Sequence, residues 1–409
     1  MTLKKLLSSS LDNSLSGIKW HSLKQSIVKY LLFTGDATIS ELGTELQSSI
    51  PTITKAVNEL LADELIIDSG KAQNNGGRRP SLYSIACDKT YFLGVEANRS
   101  STSFGLENLK EEFVSIELNT PFILENTYES LMEFCSRIDA FICDSQVDKS
   151  SIAGVCVSLS GRINSKEGFS YNYFFKENRP LVEIISEQIG LPVYLENDTR
   201  VMTFGEYAQG VIESEKNVIF LNYSWGVGIG IVAEGELYYG KSGYSGEFGH
   251  NPLFDNEILC HCGKTGCLET EASGWAMVEK FKQALAAGRA SAISIDDDMT
   301  NIQQYHKILS GAMIDEDNLC IELINRQCEI MGRALAGLIN ILNPELLVIG
   351  GDFSQLGDFV LLPIKSSLKK YSLGLVSRDV TLKKSTLGRR AGVIGACRVV
   401  KEKMLSPLT

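Results

Sequence analysis

From Ile18 the apolar residues recur at helical spacing: Leu23, Ile27 and Leu31, with Val28 and Leu32 beside them. This predicts a helix that Gly35 and Asp36 end. Thr38 opens a short second helix with Ile39, Leu42 and Leu46 inward. Ser48 and Ser49 offer N-caps for a third, and Pro51 sits in its first turn, where a missing N–H costs little. Val57, Leu60 and Leu61 form its apolar stripe. Leu65-Ile66-Ile67 and Leu82-Tyr83-Ser84-Ile85 read as two short strands around a polar turn that ends in Gly77-Arg78-Arg79-Pro80. Three helices followed by two strands around a basic tip is the winged helix-turn-helix pattern, assigned to residues 18–86. Residues 1–17 are Ser-rich without periodicity and predict a flexible tail.

Beyond Lys89 the period changes. YFLGVEA and a hairpin partner from Ser103 read as strands, Asn126 to Cys143 as helix, and Ile152 to Ser158 as a buried strand. Leu181 to Ile189 is helical, and a strand at Pro192 to Leu195 leads into Glu196-Asn197-Asp198. A second set begins at Asn217 with a strand, the glycines Gly226, Gly228 and Gly230, and another strand. Residues 274–341 are largely helical, Leu346 to Ile349 is a strand, and a last helix lies within 392–409. The pattern of strand, turn, strand and helices therefore occurs twice. It predicts an α/β domain in two lobes with a ligand cleft between them. Residues 89–198, completed by the helix in 392–409, form the first lobe; residues 199–391 form the second.

Composition narrows the class. With 409 residues, 44% hydrophobic and 22% charged, the chain can bury several cores. No apolar run reaches the roughly 18 residues that span a bilayer, and the start lacks a signal-peptide pattern. Ten cysteines without an export signal favour reduced thiols and metal binding in a cytoplasmic protein. The net charge of −11 opposes a chain that coats nucleic acid. Residues 1–90 nevertheless carry ten Lys/Arg against nine Asp/Glu, so the acidity belongs to the remainder.

Two stretches carry chemistry. In GEFGHNPLFDNEILCHCGKTGCLE, from Gly246 to Glu269, Cys260, Cys262 and Cys267 stand close together with His250 ten residues ahead. Three thiolates and an imidazole complete a tetrahedral zinc set, and four protein ligands make the metal structural. His261, between two ligands, is expected to point outward. On the third helix Thr52, Thr54, Lys55 and Asn58 present small or polar groups suited to phosphates and base edges in a major groove. Arg78 and Arg79 at the tip could reach a backbone or a narrow minor groove.

The tip GRRP, the EFGH from Glu247 to His250, CHCGKTGCLE from Cys260 to Glu269 and Ile349-Gly350-Gly351 together resemble the ROK family (repressor, open reading frame, kinase). The resemblance implies an actin-like, ribonuclease-H-type two-lobe fold, here behind a winged helix as in the family's repressors. It also implies a sugar site at Gly161, Asn197, Asp198, Glu247, His250 and Glu269, where the family's kinases use the aspartate as general base. It implies a homodimer or homotetramer assembled through the second lobe. The departures concern the nucleotide. The family's Asp-x-Gly-Gly-Thr hairpin reads Glu96-Ala97-Asn98-Arg99-Ser100 here, and its Gly-Thr-Gly loop reads Ser224-Trp225-Gly226. Side chains replace the glycines that admit phosphates, while the sugar side is intact. The expectation is a sugar-responsive repressor, not an enzyme, with operator DNA and a sugar or sugar phosphate as partners and zinc as cofactor. A sugar kinase with an attached DNA-binding domain is the alternative.

Overall fold

The computed structural model describes residues 3–7, 14–72, 79–174, 179–296 and 299–405. The N-terminal module contains α1 (Leu3–Leu7), α2 (Leu15–Phe33), β1 (Ala37–Thr38), α3 (Ile39–Glu45), α4 (Ile50–Ala62), β2 (Ile66–Lys71) and β3 (Ser81–Ile85). Local chemistry sets the starts of its helices. Thr38 and Glu41 form a reciprocal capping box on α3, and the Ser49 hydroxyl accepts from Thr52 N to cap α4. The strands form a small antiparallel sheet in the order β1-β3-β2. Strand β1 is too short to show a period in the sequence.

The tail expected over residues 1–17 needs correction. Leu3, Leu6 and Leu7 are at most 5% exposed, and Gln25 Nε2 donates to Leu6 O at 3.0 Å. Ser14 caps α2, which starts three residues before Ile18. One turn of helix cannot display a hydropathy period, and contacts from distant elements stabilise it instead of propensity.

The first lobe runs β4 (Tyr91–Ala97), β5 (Ser101–Asn108), β6 (Phe113–Pro121), α5 (Tyr128–Asp144), β7 (Ile152–Leu159), β8 (Ile163–Asn164), β9 (Phe169–Ser170), α6 (Leu181–Ile189) and β10 (Val193–Asn197). Its main sheet has the order β10-β7-β4-β5-β6: a β4-β5-β6 meander extended by two parallel strands. The second lobe runs α7 (Asp198–Gln209), β11 (Val218–Tyr223), β12 (Val227–Ala233), β13 (Glu236–Leu237), α8 (Glu269–Ala272), α9 (Gly274–Ala286), α10 (Asn301–Met313), α11 (Asn318–Leu342), β14 (Leu346–Gly350), α12 (Asp358–Tyr371), α13 (Val376–Asp379) and β15 (Thr381–Lys384). Its sheet, β13-β12-β11-β14-β15, pairs β14 in parallel with both β11 and β15.

Strands β4 and β7 are buried on both faces, which explains their continuous apolar runs. Leu93, Val95, Val155 and Val157 face α5 and α6. Phe92 and Cys156 face the last helix, α14 (Ala391–Leu405), which also packs along α7. A Cβ at Gly205 would stand 2.5 Å from Ala391 O, and one at Gly395 would overlap Val201 O, so the two helices meet backbone to backbone. The core around α14 is continuous with the N-terminal module: Leu6, Ile27, Ile53, Phe92, Val400 and Leu405 belong to one buried cluster.

Candidate functional site

The two lobes enclose a cleft of about 930 Å³. It is walled by the β4–β5 turn, the end of β7, the β10–α7 junction, the β11–β12 turn, residues 245–250, part of the cysteine loop, α10 and the start of α14.

All six residues expected at a sugar site line this cleft. Asn197 and Asp198 sit where β10 passes into α7. Asn197 is the helix N-cap, its Oδ1 accepting from Arg200 N at 3.1 Å, so the cap is not Asp198. The Asn197 amide donates to Gly161 O at 3.0 Å and to Asp198 Oδ1 at 2.9 Å. Asp198 Oδ1 also accepts from Thr199 N at 2.7 Å. Burial pushes the Asp198 carboxyl up, against the hydrogen bonds from Ser160 and Thr199. Gly161 has φ +94°, and a Cβ there would lie 2.5 Å from the Asn172 side chain. Glu247, also pushed up by burial, approaches His250 Nε2 at 3.7 Å. Glu269 is buried at 8% exposure rather than on an open helix face. Its Oε1 accepts from Val227 N at 3.0 Å and its Oε2 lies 3.7 Å from His250 Nδ1.

The loop after Gly246 brings four ligand types together. His250, Cys260, Cys262 and Cys267 offer atoms that all lie within 4.8 Å of one another. Cys260 Sγ is 3.6 Å from His250 Nδ1, and Cys262 Sγ is 3.6 Å from Cys267 Sγ. A tetrahedral ion with bonds of about 2.0–2.3 Å needs ligand atoms roughly 3.5–3.8 Å apart, so the set fits a metal of zinc's size and softness. Gly263 and Gly266 take φ +83° and +72° in the turns that make this convergence possible. His261 lies outside the set and is exposed, but it does not simply face solvent: it lines the cleft and packs edge-to-face on Trp275, centroids 5.0 Å apart.

Other parts of the cleft wall have a different character. Asn98, Arg99 and Ser100 form the β4–β5 turn, Trp225 lies in the β11–β12 turn, and Tyr305, His306 and Asp352 stand beyond it. Glu96 is enclosed against Gly392, with Asp198 and Asp352 nearby. Burial, then those two carboxylates, push it up to about 8. The folded chain thus keeps a proton that the unfolded chain releases. Its stability falls as pH rises from about 4.5 towards about 8. Glu96→Gln is expected to match the natural protein near pH 4.5, with an advantage in urea midpoint that grows up to about pH 8 and then levels. A constant offset between the two would remove this account.

Sequence reasoning overlooked Arg200. Its Nε donates to Glu196 Oε1 at 2.6 Å, both side chains 4% exposed, and its Nη1 donates to Gly243 O at 2.8 Å. Ser165 Oγ and Asn197 N also donate to Glu196 Oε1. Arg200 thereby ties the β10–α7 junction to the loop that carries Glu247. The spacing Glu196 to Arg200 on a helix start is an i,i+4 pair, a signal present in the sequence.

On α4, Asn58 lines a shallow surface groove with Ile50, Pro51 and Lys55. Thr52 Oγ1 is 2.7 Å from Ser49 Oγ, Thr54 Oγ1 donates to Ile50 O, and the Lys55 ammonium lies 5.0 Å over the Trp20 ring. Three of the four expected contact residues therefore have partners within the module. Arg79 is exposed beside Pro80, whereas Arg78 lies outside the described residues.

A duplicated α/β unit closing on a carboxylate-rich cleft defines an actin-like two-lobe protein. The ROK family model matches residues 93–403, and the chain belongs to that family. It is 27% identical over 387 residues to the DNA-binding transcriptional dual regulator NagC of Escherichia coli, covering 93% of each chain. It is 34% identical to a glucokinase of Halalkalibacterium halodurans, over 62% of this chain and 78% of that one. Among solved structures, a ROK family transcriptional regulator homologous to the E. coli MLC protein superposes with a TM-score of 0.76 at 25% identity, covering 96% of this chain and 98% of that one. A Streptomyces griseus ROK glucokinase in complex with glucose and AMPPNP gives 0.65 at 26% identity, covering 76% and 99%. No helix among the described residues is long and apolar enough to cross a membrane.

Proposed function

We propose that this chain is a sugar-responsive, DNA-binding transcriptional repressor. The carrying observation is the make-up of the cleft wall. Gly161, Asn197, Asp198, Glu247, His250 and Glu269 all line it. In the same wall, Asn98 and Arg99 stand in the turn where a phosphate would need bare backbone, and Trp225 occupies the second loop. Phosphoryl transfer depends chiefly on positioning and charge stabilisation of the phosphoryl group. A general base contributes about 10²–10⁴-fold, which cannot replace a lost cradle. Asp198 then serves as a hydroxyl acceptor for the sugar.

Residues 18–86 act as a winged helix-turn-helix. The order α2-β1-α3-α4-β2-β3 with its small sheet supports this reading. So does the match to the repressor-type relatives, which is too long to omit this module. Helix α4 would enter a major groove with Thr52, Thr54, Lys55 and Asn58, and Arg79 with Arg78 would reach the flanking backbone. A palindromic operator calls for a two-fold pair of chains. His250, Cys260, Cys262 and Cys267 would hold a structural zinc that orients His250 toward the sugar. The chain would work in the cytoplasm.

The full chain is expected to shift its own upstream DNA in a salt-dependent gel assay and to respond to a sugar or sugar phosphate. Asp198→Asn should weaken that response while leaving operator binding by the free protein intact. The glucokinase relative and the retained Asp198 favour a second reading, a sugar kinase. ATP-dependent turnover of a hexose that disappears in Asp198→Asn would establish the kinase instead. One zinc per chain is expected from metal analysis, falling to none in Cys267→Ser. Full metal content in that variant would remove the zinc assignment.

A further inference from the structure

The β8–β9 hairpin of the first lobe and the segment from Tyr239 to Gly246 of the second meet beside the cleft, and they meet in two ways. The inner contact is fixed. Arg200, held by Glu196, donates Nη1 to Gly243 O at 2.8 Å and Nη2 to Ile163 O at 3.5 Å, so one guanidinium bridges both segments. Gly243 lies so near β8 that a Cβ on it would touch Ile163 O at 3.4 Å. The outer contact is slighter. Tyr171, just past β9, packs edge-on against Tyr244, with ring centroids 6.1 Å apart and planes at 71°. The two rings remain 45% and 39% exposed.

Each tyrosine sits next to residues that line the cleft. Asn172 and Tyr173 follow Tyr171, and Ser245, Gly246 and Glu247 follow Tyr244. Each is also tied back into its own lobe. Tyr171 N donates to Arg162 O at 3.0 Å and Arg162 N donates to Asn172 Oδ1 at 2.8 Å, which joins Tyr171 to the turn that carries Gly161. Beyond Tyr244, Gly246 O accepts from Ile229 N on β12 at 3.0 Å. A sugar that meets Gly161 and Asn197 on one side and Glu247 on the other therefore draws together the two segments that bear the tyrosines. The buried ion pair holds the inner contact with or without a ligand. An edge contact between two half-exposed rings is weak enough to open and re-form, and a ligand that touches both sides biases it towards closed.

We propose that Tyr171 and Tyr244 form a clasp between the lobes that closes over a bound sugar and slows its escape, which makes both of them positioning residues for the sugar site. This rests on the sugar-responsive reading and adds to it the device that retains the ligand.

Calorimetric titration of the full-length protein with glucose, xylose, N-acetylglucosamine and their phosphates identifies the tightest-binding probe, and stopped-flow mixing then gives its dissociation rate. Tyr171→Ala and Tyr244→Ala are each expected to weaken that probe by about two- to tenfold, the size of one aromatic pair, with the change in the dissociation rate. The double variant should bind no more weakly than the weaker single variant, because either substitution already removes the contact. Tyr244→Phe keeps the ring and should retain most of the affinity. A pair equally closed with and without sugar would give lower urea midpoints and unchanged affinity, and that result would overturn the clasp. Additive losses in the double variant would overturn it too, since each ring would then act alone. Absence of binding by every probe would instead overturn the sugar-responsive reading, and the clasp with it.

Discussion

Arg200→Ala is expected to destabilise the folded chain by about 3–5 kcal/mol, the usual consequence of removing one partner from a buried ion pair. Glu196 would be left charged, 4% exposed and short of its main counterion. Gly243 O would lose its donor, and the turn leading to Glu247 would lose its anchor. Urea unfolding followed by tryptophan fluorescence measures the loss. Replacing both partners together, Glu196→Leu with Arg200→Met, should recover much of the stability, because no unpaired charge remains. The pair would still lack the tie to Gly243, so sugar affinity should stay low in the double variant while stability returns. If the double variant were as unstable as Arg200→Ala, the loss would come from packing and not from the stranded charge.

Gly395→Ala is the second large effect, at or above the upper end of the roughly 1–3 kcal/mol typical of overpacking. The new methyl would press on Val201 O, a backbone atom inside α7, which cannot rotate away as a side chain would. The helices must separate, and with them the two lobes they join. Gly337→Ala on the exposed side of α11 is the control, since nothing lies within 4 Å of a Cβ there. It should stabilise the protein by about 0.5–1 kcal/mol through helix propensity alone. Equal outcomes at the two glycines would show that the backbone contact between α7 and α14 has no energetic weight.

What the sequence made legible depended on how local each signal was. The caps at Thr38 and Ser49, the turns at Gly263 and Gly266, and the cysteine spacing are written within a few residues, and each could be read directly. The cleft's acidic end was legible through the family pattern, because Asn197 and Asp198 lie far in the chain from Glu247 and Glu269. Helix α1 was missed because only α2 and α14 make Leu3 and Leu6 core residues. Strands β6 and β15 were missed for a related reason. Edge strands carry mixed surfaces, with Val114, Ile116 and Leu118 exposed on β6, so neither alternation nor an apolar run marks them.

The position of α14 bears on how the chain is made. Cys397 donates to Phe92 O across 305 residues, and α14 covers the face of the first-lobe sheet that bears Phe92 and Cys156. A ribosome adding about 5–20 residues per second leaves that face bare for roughly 15–60 s. During that interval the N-terminal module also lacks part of its floor, since Leu3 and Leu6 share a cluster with Val400 and Leu405. The nascent chain therefore presents an apolar sheet face of the kind that chaperones hold, and the lobe translated first is among the last to close.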